Sequence, residues 1–435
     1  MLDSCTGLES IRINESGVTD ISWMKPLSEL GVVTLNGNEI TSLAGLENHE
    51  RLYAVKADNN EITNLSGLSG CGELHSITAN DNAITDLSGL SGCGELEEVY
   101  LNNNEISDIS PLASLTTMKT LDLANNEITD TAPLSSCDKM AELYLDNNSL
   151  ENLNGCTSMI ELKTISAGNN RISDIGGLSN TTQLETAGLQ GNELTDITGL
   201  GKNQDCMKLL KLSDNKIKSI APLKGFTMLE ALSIDNNEIE DLSPLSECSQ
   251  LLGLSAGRNK ISDIKPLENC MMIAYLDLGD NQIKDISPLA GHRADKKVLL
   301  LQNNKISDIS TLAVTPEYYC LALYGNPVRD VSVIGSFENS KAVDFLYLSW
   351  NDSSDYTSMA LTEMRMNIVD APLDKQVPLR NKLDEIRSNN DGYSANITYK
   401  TKEEADNDME AIRSKIKEAE DFNGAGNMVY NVLGG

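Results

Sequence analysis

Residues 100–112 read YLNNNEISDISPL, and 22 residues on, at 122–134, the chain reads DLANNEITDTAPL; a further 22 bring YLDNNSLENLNGC at 144–156. Asparagines, aliphatics and a proline slot return at fixed separations. Self-similarity at one period of this length marks a stack of like units. With Leu121 as anchor, equivalent positions fall at Ile11, Val33, Val55, Ile77, Val99, Leu143, Ile165, Ala187, Leu210, Leu232, Leu254, Leu276, Leu299, Leu321 and Leu346, which makes sixteen units with rare insertions.

Each slot of the unit has a physical job. Alternation at Leu121 and Leu123 puts both side chains on one face of a short strand, with Asp122 and Ala124 on the other. One such unit cannot bury its apolar side alone, so the units must stack. An asparagine fills the same slot in fifteen units, from Asn38 through Asn126 to Asn351, and only Ser16 departs from it. There the chain leaves the strand and turns, and an amide carries both the donor and the acceptor needed by backbone groups that have lost their ladder. Pro111, Pro133, Pro222, Pro244, Pro266 and Pro288 share a later slot, as expected for the first position of a helical turn, with Ser110, Ser243 and Ser287 as expected N-caps. Aspartates such as Asp108, Asp241 and Asp285 precede that turn, where carboxylates favour the N-terminal end; no D-x-D-x-D-G calcium loop is present.

The pattern L-x-x-L-x-L-x-x-N-x-I-x-D-I-x-x-L resembles the leucine-rich repeats, specifically the short 22-residue class of bacterial internalins. The resemblance covers residues 5 to 356. It implies an α/β solenoid, an arc with a parallel β-sheet on its concave face and short 3₁₀ turns on its convex face. Sixteen coils at about 5 Å each give an arc on the order of 75–80 Å long. The expected organisation is a solenoid over 1–356 and a small α/β unit over 357–435 that covers its open end. In that second segment, residues 378–390 read as a helix, 393–400 as a strand, 401–422 as an amphipathic helix and 427–433 as a strand. Thr401 and Glu404 form a capping box, and Ala405, Met409, Ile412 and Ile416 an apolar stripe.

The formal charge of -31 over 435 residues makes nucleic acid and anionic lipid poor partners, and no run of 18 apolar residues exists for membrane insertion. The N-terminus shows no basic or apolar leader segment. Cys5, Cys71, Cys93, Cys137, Cys248 and Cys270 all lie six residues before an anchor, an inward slot that suits small apolar filler and free thiols. Such thiols suit a reducing setting, whereas internalin-type relatives are mostly surface-exposed or secreted, so the compartment stays open.

No catalytic constellation is visible. The three histidines, His49, His75 and His292, have no partner at metal-ligand spacing, and neither metal nor cofactor is expected. Cys320 falls on the outward side of its strand and is the candidate exposed thiol. The expected role is therefore non-enzymatic recognition of a protein by a monomer, through the outward strand positions. Tyr100, Tyr144, Tyr275, Leu300, Tyr324, Tyr347 and Trp350 are the candidate binding residues, because interfaces concentrate energy in large aromatic side chains. Phe345, Tyr347 and Trp350 are equally suited to packing beneath the C-terminal segment. The middle of the face is bare, with Ser166, Gly168, Gly188, Ser233, Gly253, Ser255 and Gly257. The resemblance implies a bacterial surface or secreted adhesion or receptor-binding protein; the alternative is an intracellular regulatory or assembly subunit.

Overall fold

A computed structural model describes residues 5–292, 297–314, 318–335, 343–352, 356, 365–388 and 396–423. The chain divides into two compact units, Met1–Cys206 and Met207–Gly435. That division does not coincide with the boundary expected at residue 356.

The first unit carries nine short strands: β1 (Ser10–Arg12), β2 (Val32–Thr34), β3 (Ala54–Lys56), β4 (Ser76–Thr78), β5 (Glu98–Tyr100), β6 (Thr120–Asp122), β7 (Glu142–Tyr144), β8 (Thr164–Ser166) and β9 (Thr186–Gly188). Each pairs in parallel with the next, in a register that sets anchor beside anchor, Val99 against Leu121 and Leu121 against Leu143. Behind the strands Val99, Leu101, Leu121, Leu123, Leu143 and Leu145 are fully buried. The opposite wall is built of 3₁₀ turns such as Ser110–Ser114 and Ala132–Ser136, as the repeat predicts.

The asparagine slot holds consecutive coils together. Asn126 donates from Nδ2 to the carbonyls of Leu123, at 3.1 Å, and of Leu101 in the preceding coil, at 3.0 Å. Its Oδ1 accepts the Ile106 N–H at 2.9 Å. Asn104, Asn148 and Asn170 repeat the set one coil apart. The residue before each has its own cause, which the sequence reading passed over. Asn125 sits at φ +55°, and Asn103, Asn147 and Asn169 match it within a degree or so, a left-handed conformation that asparagine tolerates better than most residues.

The 3₁₀ turns correct one expectation. Ser110, Ser243 and Ser287 do not cap; the preceding aspartates do. Asp108 Oδ1 accepts the Ser110 N–H at 2.8 Å, and Asp241 and Asp285 treat Ser243 and Ser287 alike. Those hydrogen bonds hold the Asp108 carboxyl below its ordinary range. In several coils that lack proline the slot holds glycine: a Cβ on Gly155 would meet the Thr131 carbonyl oxygen at 1.8 Å.

The second unit carries β10 (Leu209–Lys211), β11 (Ala231–Ser233), β12 (Gly253–Ser255), β13 (Tyr275–Asp277), β14 (Lys297–Leu300), β15 (Tyr318–Ala322), β16 (Val343–Ser349), β17 (Arg365–Val369) and β18 (Asn396–Lys400). A four-residue helix α1 (Ser332–Gly335), α2 (Leu373–Ser388) and α3 (Lys402–Asn423) complete it. Strand β17 pairs in parallel with β16, and β18 in parallel with β17, so both continue its sheet. Helix α2 starts before the expected Pro378, which lies inside it. The strand expected at 427–433 lies outside the described residues.

One buried pair reports on pH. His292 Nε2 faces the Leu267 carbonyl at 3.0 Å and so must carry the proton, which leaves Nδ1 to accept from Lys297 Nζ at 3.0 Å. Burial lowers Lys297 to about 7 and His292 to about 4. Both groups hold protons more tightly in the unfolded chain, so the fold gains stability as pH rises from 7 toward 10.5, and loses it as pH falls from 6.5 toward 4.

Two outcomes are expected. Asn126→Ala should lose about 2–3 kcal/mol of stability by stranding buried carbonyls and the Ile106 N–H, whereas Asn125→Ala should lose about 1; urea midpoints of the two variants test the difference. Lys297→Met should raise the thermal midpoint at pH 7 and flatten its rise between pH 7 and 10.

Candidate functional site

The outward strand positions are the surface left once the aliphatics have turned inward, and the two units use them differently. In the first unit, register places Tyr100, Asp122 and Tyr144 in one column across β5, β6 and β7, and Glu98, Thr120 and Glu142 in the column beside it. Tyr100, Asp122 and Tyr144 are half-buried, and Glu98 and Glu142 are exposed. At about 4.8 Å between strands, the two tyrosines stand about 10 Å apart with the carboxylate between them. Asn102 Nδ2 donates to Asp122 at 2.7 Å, and the Tyr144 hydroxyl donates to Glu142 at 3.2 Å. Partial burial and the surrounding carboxylates push the Tyr144 phenol up to about 12 and raise Tyr100 as well. Asp146, which accepts the Gly168 N–H at 2.8 Å, is raised by burial.

In the second unit the same face is filled. Helix α3 opens on the expected capping box, in which the Thr401 N–H donates to Glu404 at 2.7 Å and the Glu404 N–H to the Thr401 hydroxyl at 3.2 Å. Its stripe of Ala405, Met409 and Ile416, with Ile412 partly buried, packs on Ala231, Tyr275, Val298, Leu300, Ala322, Tyr324 and Tyr347. The Tyr324 hydroxyl donates to Asp406 at 2.8 Å and that of Tyr347 to Asp408 at 3.1 Å. Arg413 donates from Nε to Asp277 Oδ2 at 2.6 Å and from a terminal nitrogen to Oδ1 at 3.2 Å, with Asp277 wholly buried. Arg258 pairs with Glu410 at the rim.

The candidate binding residues therefore separate. Tyr100 and Tyr144 stand half-buried on a face that no described element covers. Tyr275 and Tyr324 retain 1% of their exposure, Leu300 none and Tyr347 5%, so their expected exposure is corrected: they point outward from the strands but beneath α3. Trp350 is half-buried and stacks on Tyr356, ring centroids 5.4 Å apart. Cys320 also points outward yet is wholly buried, and burial raises its thiol rather than activating it. Of the bare positions, Gly257 now has a cause, since the Arg413 guanidinium comes within 3.1 Å of where a Cβ there would stand. Sequence reading found the α3 stripe but assigned it to the open end of the solenoid; the clue it passed over is Arg413 within an apolar helix face, which calls for a buried acid.

All nine cysteines are free. Among the described residues no group of three His, Cys, Asp or Glu could hold a metal ion, and no helix is long and apolar enough to cross a membrane.

Residues 72–114 and 116–155 match the family described as leucine-rich repeats in two copies. Among solved structures, an internalin, InlF of Listeria monocytogenes, is 27% identical with a TM-score of 0.63, over 69% of this chain and 87% of that one. The functional domain of InlJ from the same organism, which includes a cysteine ladder, is 21% identical with a TM-score of 0.62, over 79% and 74%. The plant peptide hormone receptor RGFR1, solved in complex with RGF2, is 17% identical with a TM-score of 0.55, over 84% and 67%. No curated protein sequence matches the chain.

Arg413→Ala leaves Asp277 buried without its counter-charge and should weaken the docking of α3 by about 3–5 kcal/mol. Hydrogen exchange should then rise along α3 and the β13–β15 strands while β5–β7 keep wild-type protection.

Proposed function

We propose that this chain, a member of the leucine-rich-repeat proteins of the short 22-residue, internalin-like class, is a non-enzymatic scaffold that binds a protein partner on the outward strand face of its first unit. The carrying observation is the contrast between two like faces. In the second unit the aromatic side chains are consumed by α3, whereas Tyr100 and Tyr144 remain uncovered and anchored on strands. Aromatic side chains held on a rigid sheet lose little freedom on binding, which is what concentrates affinity in them. Likeness to the Listeria internalins supports a bacterial surface or secreted role in adhesion or receptor binding. The solved complex of RGFR1 with RGF2 gives an example of this fold engaging a peptide ligand. A second reading, an intracellular regulatory or assembly subunit, is favoured by one observation: nine free thiols, seven of them buried, suit a reducing compartment.

The test is photo-crosslinking from residue 120 of the full chain in surface and cytosolic extracts, beside the same protein with Tyr100→Ala and Tyr144→Ala. The expected result is one crosslinked protein, lost in the double variant, whose source fixes the compartment. A partner crosslinked equally by both proteins would place the binding surface elsewhere.

A further inference from the structure

The face of β5–β7 carries negative charge without a counter-charge. Glu98, Asp122, Glu142 and Asp146 accept hydrogen bonds from neutral groups: the Ser76 hydroxyl, Asn102, the Tyr144 hydroxyl and the Gly168 N–H. Among the described residues none of the four is paired with a lysine or arginine, and from β4 to β9 no outward strand position holds a basic residue. The first unit does spend cations on ion pairs elsewhere, Arg51 on Glu29, Lys119 on Glu97 and Lys139 on Glu161.

The second unit shows what this slot takes when it is filled. Asp122 ends β6 and Asp277 ends β13, each directly after its anchor leucine. Asp277 accepts two hydrogen bonds from one edge of a guanidinium carried by α3 across the face. The molecule also stacks guanidinium on aromatic rings, Arg365 over Phe345 at 4.9 Å and Arg380 over Tyr399 at 5.5 Å. Around Asp122 both preferences meet, since tyrosines stand in register on either side of it. The roughly 10 Å between them, set by two strand spacings, admits a planar group against a ring face while its N–H fork reaches the carboxylate. An ammonium would meet the charge but not the plane.

We infer that the β5–β7 face is a docking surface for an arginine-bearing segment of a partner protein, with the guanidinium seated on Asp122 between Tyr100 and Tyr144. The inference rests on the scaffold reading above and names the chemistry of its partner. Glu98, Glu142 and Asp146 supply the surrounding field that favours a basic segment and makes its binding salt-dependent.

The experiment uses the full-length protein and three fluorescent twelve-residue Gly/Ser peptides, each with four substituted positions: arginine, lysine or citrulline, the last a neutral isostere of arginine. Anisotropy at 50 and 200 mM salt should rank arginine above lysine and show no binding of citrulline. Asp122→Asn should weaken the arginine peptide about tenfold, as expected for loss of a charge-assisted pair. Tyr100→Leu with Tyr144→Leu should erase the preference for arginine over lysine. Glu151→Gln, an equal charge change on the turn wall, should leave affinity within about twofold, as expected for a distant screened charge. Equal weakening by Asp122→Asn and Glu151→Gln would reduce the effect to general acidity and overturn the inference, as would arginine and lysine peptides of equal affinity, or no binding at 50 mM salt. Circular dichroism of each variant separates loss of binding from loss of fold. Loss of the natural partner in the Tyr100→Ala/Tyr144→Ala crosslinking test, alongside unchanged peptide binding by Asp122→Asn, would overturn the arginine seat while keeping the scaffold.

Discussion

A side-chain amide replaces the backbone ladder wherever a coil turns out of its strand. Asn126 joins three carbonyls and one N–H across two coils, and all but the Ala124 carbonyl lie in a buried interior where unpaired polar groups are costly. Neither aspartate, which lacks the donor, nor glutamine, which is a methylene too long, could do the same in that space. The period follows from this constraint. Each coil must bring its amide under the previous one, so insertions are confined to segments such as that before Leu210, outside the strand-to-asparagine stretch.

Once the coils are fixed, the turn wall is a set of local solutions to the same backbone problem. Asp108 closes its turn with a hydrogen bond from the N–H two residues on, and in coils such as that of Gly155 the preceding coil approaches too closely for a Cβ. The strand wall has no such obligations, because its side chains answer only to whatever lies in front of them. It is the part of the repeat free to specialise.

The two units specialise it in opposite directions. Small residues, aromatic rings and Asp277 in the second unit form a seat that accepts α3 at close range, and the buried Arg413–Asp277 pair fixes how the helix lies on it. A buried pair of this kind adds little net stability, but losing either partner is expensive, so it defines position more than it adds strength. In the first unit the same aspartate slot is flanked by tyrosines and covered by no described element.

The repeat, the asparagine ladder, the parallel strands, the 3₁₀ wall and the capping box of α3 were all legible in the chain, because each is set by contacts within one coil or between a coil and its neighbour 22 residues away. The left-handed residue before each asparagine was equally local and was missed only because two asparagines stand together. What the residues alone did not decide is which outward side chains meet solvent. Tyr100 and Tyr347 occupy the same strand position, one residue after their anchors, and nothing near either says that one is open and the other covered. That depends on α3 crossing strands far earlier in the chain, where Tyr347 meets Asp408 at a separation of 61 and Arg413 meets Asp277 at 136. Period and propensity are short-range properties of a sequence, while exposure is set by long-range burial, and only the folded chain decides it.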